Sequence, residues 1–366
     1  MVMSTMVRRN ARWFAGALAP IALSASLTAQ GVSSSATLNA YAAMISGYRH
    51  GQIDAAVAEM VARDRRWVED ALRLLDRAKW PPVDLEAAVL LHTESAWNAP
   101  TGSVGAIHLS AADWIINRRV AVPTEFRRRW YLLVAWHLQS ELRFEDLVRH
   151  VDAMVKRFPA DGDVLLALGS LYEALGWSRD PPIDLSGAVA GARGIPDDPH
   201  PAILRSLEDR GQRKIQEEAA GAFRHALTVS PSLDEARLRL ARMMNELDRP
   251  DEALALLKPI GDGEAPAPLK YLALLFEGAA EQRRNDLDKA IAAYRAAAVR
   301  YPGCQTPEVA LSNAFRNKGE RAAALGMLLR VAVAGSQCDD PWWSYHFGQA
   351  GRFDSALQEM RKDVAR

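Results

Sequence analysis

The chain has 366 residues, 49% of them hydrophobic, enough to bury a large core in one elongated domain or two compact ones. Lys plus Arg and Asp plus Glu number 45 each, so the basic excess usual in nucleic-acid-binding and membrane-surface proteins is absent. The Arg clusters at 63–66 and 127–129 are followed by acids and read as solvated helix faces.

The N-terminus reads separately. "MVRRNARW" carries Arg8, Arg9 and Arg12 without an acid, the apolar "FAGALAPIALSASLTA" follows, and small residues come next. Charged, apolar and small regions in that order describe a secretory signal. Ala29-Gln30-Gly31 fits a small-x-small cleavage rule, which predicts a signal peptide over 1–31; cleavage after Ala29 is the alternative. The apolar run is short for a spanning helix and Pro20 interrupts it, which weighs against an uncleaved anchor. Arg8-Arg9 lacks the apolar pair of a twin-arginine signal, and no Cys near the cleavage site could carry a lipid. No later segment is apolar enough to cross a membrane.

Residues 32–122 predict a helical N-terminal part made of degenerate repeats. "NAYAAMISGYRHGQIDAAVAEMVARD" has the pattern of a helical hairpin, and "DLEAAVLLHTESAW" and "SVGAIHLSAADWIINR" are further amphipathic candidates, broken by "KWPPVD" and "NAPTGS". No alternating β-branched run is long enough for a strand.

From residue 123 to 366 a period emerges. Val134, Ala135 and Leu138 are followed by Leu147, Val151, Met154 and Pro159. The next helix, "DVLLALGSLYEALG", places Leu168, Gly169 and Tyr172 in phase, but its partner is displaced. That partner is "IQEEAAGAFRHALTVSP", with Ala219, Phe223, Ala226 and Pro231. One hairpin is therefore split by an insertion at about 177–214, which holds Pro181, Pro182, Pro196, Pro199 and Pro201. The pattern resumes at Leu240, Ala241 and Met244, again at Gly278, Ala290, Tyr294, Ala297 and Pro302, and again at Leu311, Phe315, Ala324, Leu328 and Val331. A shorter last unit is expected from Trp342 and Tyr345 to Ala356 and Met360. Unit starts near 128, 162, 234, 271 and 305 are spaced by 34, 72, 37 and 34 residues. Apolar residues at three and four give each helix one buried stripe, and no hairpin buries its face alone, so neighbours must stack.

This period, with Gly or Ala on the first helix and Ala, Phe or Tyr, Ala and Pro on the second, resembles the tetratricopeptide repeat over about 128–363. The fold class that the resemblance implies is all-α, a right-handed helical-repeat superhelix of TPR-like solenoid type. The sequence departs from the family pattern at the first-helix Trp, which only Trp342 supplies, and Glu277 and Glu281 stand where apolar residues are usual. The resemblance further implies a concave groove lined by first helices. The candidate partner-binding residues in that phase are Trp136, Gln139, Ser170, Glu173, Arg242, Asn245, Glu246, Gln282, Arg283, Asn313 and Arg316, whose Asn and Arg members could grip a peptide backbone or carboxylate. The family's carboxylate-gripping sets need Lys and Asn at fixed places that this chain matches poorly, and a solvated surface is the competing reading.

Cys304 and Cys338 follow repeat ends in the same phase. Equivalent points on stacked hairpins lie about 8–10 Å apart, more than a disulfide spans, but both cysteines sit in Gly-containing loops and export would favour a bond between them. "DPWWSYHFGQAGRF" is expected to cap the array with bulky side chains, with an aromatic ligand patch as the alternative. In "HTESAW", His92 and Glu94 are two apart and face different ways on a helix, so this stretch reads as a polar edge and not a metal site. "GAVAGARG" lacks the flanking strand and helix of a phosphate loop, no Gly-x-Ser-x-Gly elbow occurs, and no cofactor or metal is expected.

The sequence therefore points to an exported scaffold, periplasmic or secreted, that binds a protein or peptide partner without catalysis, binds no nucleic acid, and has no membrane span after signal removal. The competing expectation is an envelope hydrolase or other enzyme with its site in the N-terminal helical part.

Overall fold

The computed structural model describes residue 66 and residues 82–98, 102–118, 122–141, 143–176, 211–334, 338–346 and 351–364. The signal expected at 1–31, most of 32–81 and all of 177–210 lie outside the described residues. Every described element is a helix: α1 (Pro82–Trp97), α2 (Gly102–Arg118), α3 (Thr124–Ser140), α4 (Phe144–Arg157), α5 (Gly162–Gly176), α6 (Gln212–Val229), α7 (Asp234–Glu246), α8 (Pro250–Asp262), α9 (Ala267–Arg283), α10 (Leu287–Arg300), α11 (Gln305–Asn317), α12 (Arg321–Ala334), α13 (Pro341–His346) and α14 (Gly351–Val364). The all-α, TPR-like helical-repeat class is thus the observed one. None of these helices is long and apolar enough to cross a membrane.

The chain divides into two compact units, Met1–Arg129 with Ala356–Arg366, and Trp130–Ser355. In the first, α1 packs on α2. Helix α1 is apolar on nearly every face, with Ala87, Ala88, Val89, Leu90 and Leu91 all buried, as expected of a helix enclosed on all sides.

The second unit is a stack of hairpins: α5–α6, α7–α8, α9–α10 and α11–α12 each pair internally, and each pair packs on the next. Two local devices repeat. Within a hairpin, Gly on the first helix lets an aromatic ring of the second approach: a Cβ built on Gly169 would lie 2.3 Å from the Phe223 ring, and one on Gly278 would lie 2.4 Å from the Tyr294 ring. At the ends of α7, α9 and α11 the chain turns through a left-handed residue, Asp248, Asn285 and Gly319 respectively. The next amide then reaches back into the helix: Arg249 N to Met244 O at 2.8 Å, Asp286 N to Glu281 O at 2.9 Å and Glu320 N to Phe315 O at 2.9 Å. This satisfies carbonyls that a helix end would leave open.

The helices flanking residues 177–210 belong to one hairpin. Helix α5 packs along α6, and the Gln212 side-chain amide donates to the Gly176 carbonyl at 2.9 Å. Glu281 is buried and pairs with Arg284 at 2.9 Å, which shows how a carboxylate is accommodated at an apolar position of the pattern.

The C-terminal part departs from expectation. Trp342 and Tyr345 do not open a hairpin stacked on α11–α12. Helix α13 instead lies against α9. Leu328, read from sequence as a core position, is 46% exposed, beside exposed Leu325 and Leu329 on α12. The physical reason is that no following hairpin covers this face of α12 among the described residues. Helix α14, expected as the second half of a last unit, pairs through Arg361 with Glu94 and through Asp363 with Arg129 at 2.6 Å, which groups its end with the first unit.

Candidate functional site

The site is built on α7, whose sequence DEARLRLARMMNE sets Glu235, Arg239 and Arg242 on successive turns of one face. Arg239 is 2% exposed. A bare guanidinium there would be very costly, and three oxygens offset the cost. Its Nε donates to Glu235 Oε1 at 3.0 Å, its Nη1 to Glu173 Oε2 of α5 at 2.6 Å, and its Nη2 to the Tyr345 carbonyl of α13 at 3.3 Å. The guanidinium carbon also sits 4.2 Å from the centroid of the Tyr345 ring. Burial alone would lower the Arg239 pKa, but the Glu173 and Glu235 carboxylates outweigh it, and the net shift is upward.

Glu173 is the centre of this arrangement. It also accepts from Arg242 Nη1 at 3.4 Å and from the Tyr345 hydroxyl. Burial, and then the Glu173 charge, push the Tyr345 pKa up, so its hydroxyl stays a donor. Arg242 continues the face outward, with its guanidinium 5.0 Å from the Trp342 ring centroid and 5.6 Å from that of Phe276. Beside them His346 is half-buried and lowered to about 4, first by burial and then by the Arg242 and Arg239 charges.

The stretch that reaches this face is fixed upstream as well. Asp340 is the N-cap of α13, and Pro341 opens the helix, where its missing N–H costs nothing. Asp340 Oδ1 accepts from the Trp342 amide at 3.0 Å and from the Tyr271 hydroxyl at 2.9 Å; Oδ2 accepts from the Thr306 hydroxyl at 2.6 Å and from the Thr306 amide at 3.3 Å. Cys338 is joined to Cys304, the N-cap of α11, with a Cα–Cα distance of 4.9 Å. The spacing expected of stacked equivalents does not apply, because residue 338 has left the stacking path. Residues 338–346 thus touch α5, α7, α9 and α11, the first helices of four successive hairpins. That run of first helices is the one on which the repeat resemblance puts a concave groove.

The sequence-derived groove residues are accordingly split. Glu173 and Arg242 lie in the cluster. Asn245, one turn beyond Arg242, is buried and its Oδ1 has no hydrogen-bond partner. Gln139 and Ser170 are buried together, with Gln139 Nε2 3.5 Å from the Ser170 carbonyl, so neither is an open surface group. Trp136 is half-buried. Glu246 and Arg283 pair with each other at 3.4 Å on the exposed rim; Gln282 accepts from Tyr294 at 3.2 Å; and Asn313 accepts from the exposed Arg316 at 2.6 Å. Sequence reasoning missed Arg239, Glu235, Tyr271, Thr306 and Asp340. The Glu235–Arg239 spacing on α7 was a readable sign of an ion pair, whereas nothing local pointed to Asp340 meeting Thr306. The aromatic stretch does close the core with bulky side chains as expected, Tyr345 inside it and Trp342 packed against it, but it does so against α7 and α9.

In the first unit, "HTESAW" is not a polar edge. His92 is fully buried and His108 is 1% exposed, and their Nδ1 atoms are 3.0 Å apart, a hydrogen bond in which one ring donates and the other accepts. Burial, and then His108, push the His92 pKa well down. Among the described residues no group of three or more His, Cys, Asp or Glu could hold a metal ion.

No protein-family model matches the chain, and no curated protein matches it. Solved structures similar to it include PilW, a widely conserved type IV pilus biogenesis factor, at 16% identity over 64% of this chain and 90% of that one, TM-score 0.44. Another is MamA from Desulfovibrio magneticus RS-1, at 16% identity over 56% and 93%, TM-score 0.38. A third, a further MamA crystal structure, is 17% identical over 57% and 91%, TM-score 0.38. The fold assignment rests on the chain's own hairpin pairing.

Proposed function

We propose that this chain is an exported, non-catalytic helical-repeat scaffold that binds a protein or peptide partner on the concave face of its second unit. The observation that carries this reading is that the face already grips a peptide segment: residues 338–346 lie across four first helices, held by charge, hydrogen bonds and aromatic contact. A surface that grips its own chain this way has the chemistry to grip another. The Pro-rich insertion at 177–210 is a second candidate contact element, leaving and re-entering the hairpin between Gly176 and Gln212. The signal-like N-terminus supports export.

The enzyme reading loses its main support. Within "HTESAW", His92 is closed from solvent and bonded to His108, whereas a catalytic side chain must reach a substrate.

The test is capture of partners from an envelope extract by the mature-length chain, by Arg242→Ala and by a version lacking 177–210. A protein retained by the full chain and lost with Arg242→Ala supports the concave face. Loss only with the deletion moves recognition to the insertion. No specific retention by a folded chain overturns the scaffold reading.

A further inference from the structure

We infer that residues 338–346 are a resident ligand, and that the concave face takes in trans a partner peptide of the same chemistry: an acidic residue, then Trp and Tyr in the pattern D-x-W-x-x-Y on one helical turn. This rests on the peptide-binding reading above and names its ligand class.

Each element of the pattern has its own receiver. The acid is received by two donors from different hairpins, the Tyr271 hydroxyl at 2.9 Å and the Thr306 hydroxyl at 2.6 Å, with the Thr306 amide behind them. The Trp lies under the Arg242 guanidinium at 5.0 Å and edge-on to Phe276 at 6.1 Å. The Tyr is received by Arg239 over its ring and by Glu173 at its hydroxyl, and is 1% exposed. A phenylalanine would leave the Glu173 oxygen without that donor, so the site distinguishes Tyr from Phe. Asn245 supplies a further observation. Its buried Oδ1 has no partner while residues 338–346 are bound, one turn along α7 from Arg242. A longer peptide with a backbone N–H at that point would satisfy it, which the resident segment does not.

The resident segment is covalently continuous with its receiver, so it competes at an effective concentration on the order of millimolar. A partner peptide of micromolar intrinsic affinity would then bind the wild-type chain up to about 1,000-fold more weakly than an emptied face. The Cys304–Cys338 bond adds to this tether.

The experiment is fluorescence-anisotropy titration of a labelled synthetic peptide carrying residues 338–346, with serine in place of the cysteine, into the full chain. Four proteins are compared: wild type; Trp342→Ala/Tyr345→Ala, which empties the two aromatic receivers; that double variant with Arg242→Ala added; and Asp340→Asn, which loosens the upstream anchor while keeping every aromatic. Each is first shown by circular dichroism and thermal melting to be folded. At least ten-fold tighter binding to the double variant than to wild type is expected. An intermediate gain is expected for Asp340→Asn, and a ten-fold loss on adding Arg242→Ala to the double variant or on replacing the peptide Tyr by Phe. Equal binding to all forms, no binding to any folded form, or an exchanged dimer of the chain holding the segment of a second copy would overturn the inference. Panning a random peptide library on the same double variant separates this inference from its premise. Enrichment of D-x-W-x-x-Y supports it; enrichment of another pattern overturns the ligand class but leaves a peptide-binding face; no enrichment overturns both.

Discussion

The two units each bury ionisable side chains and handle the cost in opposite ways. In the second, Glu173, Glu235, Arg239 and Arg242 interlock as ion pairs, with Tyr345 adding a hydroxyl and a ring face. In the first, burial and the neighbouring His108 push the His92 pKa well down, and the two rings share a hydrogen bond. A charged cluster depends on every member, because deleting one leaves its partner buried and uncompensated. A neutral pair depends on pH, because protonation introduces a charge that burial opposes. The units should therefore fail under different conditions.

The largest expected effect is at Glu173. Glu173→Ala would strip Arg239 and Arg242 of their shared acceptor and cost about 3–5 kcal/mol in denaturant unfolding, whereas Tyr345→Phe should cost about 1–2 kcal/mol. Equal costs would contradict the central position given to Glu173.

Removing the disulfide should come next. With the Cys304–Cys338 bond formed, replacing both by Ala should lower stability by roughly 3–4 kcal/mol through the unfolded chain. Thiol labelling of the native protein checks the premise, and two free thiols would sink it.

Gly278→Ala is expected to cost about 1–3 kcal/mol, since the new methyl meets the Tyr294 ring and the hairpin must open. Gly261, with nothing within 4 Å of a built Cβ, is the matched control; its substitution should be tolerated.

The pH effect is smaller and has a fixed sign. His92, His137 and His346 all have folded-state pKa values below the ordinary value near 6.5, chiefly through burial, with His137 at about 3 and His346 at about 4. Above about pH 6.5 both folded and unfolded chains hold these rings neutral, and their contribution is complete. Below it the unfolded chain takes up protons first, so stability falls with pH, down to about 4 for His346 and about 3 for His137. Glu86 and Glu277, both raised, act in the opposite sense lower in the range. Denaturant midpoints at pH 7.5 and 5.5 should differ, and His92→Leu/His108→Leu should flatten the difference. An unchanged slope would remove the His pair from the account.

The smallest expected change follows deletion of 177–210 with a short linker. Gly176 and Gln212 are already hydrogen-bonded neighbours, and α5 packs along α6. A cooperative transition near the wild-type midpoint is expected; loss of cooperativity would mean that the insert is part of the core.

The hairpins were legible because their signals are local and repeated. Gly169 and Phe223 announced a close helix pair across the insertion, and Pro159, Pro231 and Pro302 marked hairpin ends. The path of residues 338–346 was not legible. Asp340-Pro341 reads as a helix start wherever the helix docks, and Trp342 falls in repeat phase whether it stacks or turns aside. Tyr345 meets Glu173 across 172 residues of sequence, a separation at which no periodicity carries information. His92 and His108 were hidden for a related reason: they face one another across two helices, not along one.

The central claim is that the first helices of the second unit hold the chain's own Tyr345, at Glu173 and Arg239. The most direct measurement is a double-mutant cycle on unfolding free energy with Glu173→Gln, Tyr345→Phe and the double variant. The account predicts a coupling energy of about 1 kcal/mol or more; additivity within about 0.3–0.5 kcal/mol would place the two residues apart in solution and contradict it.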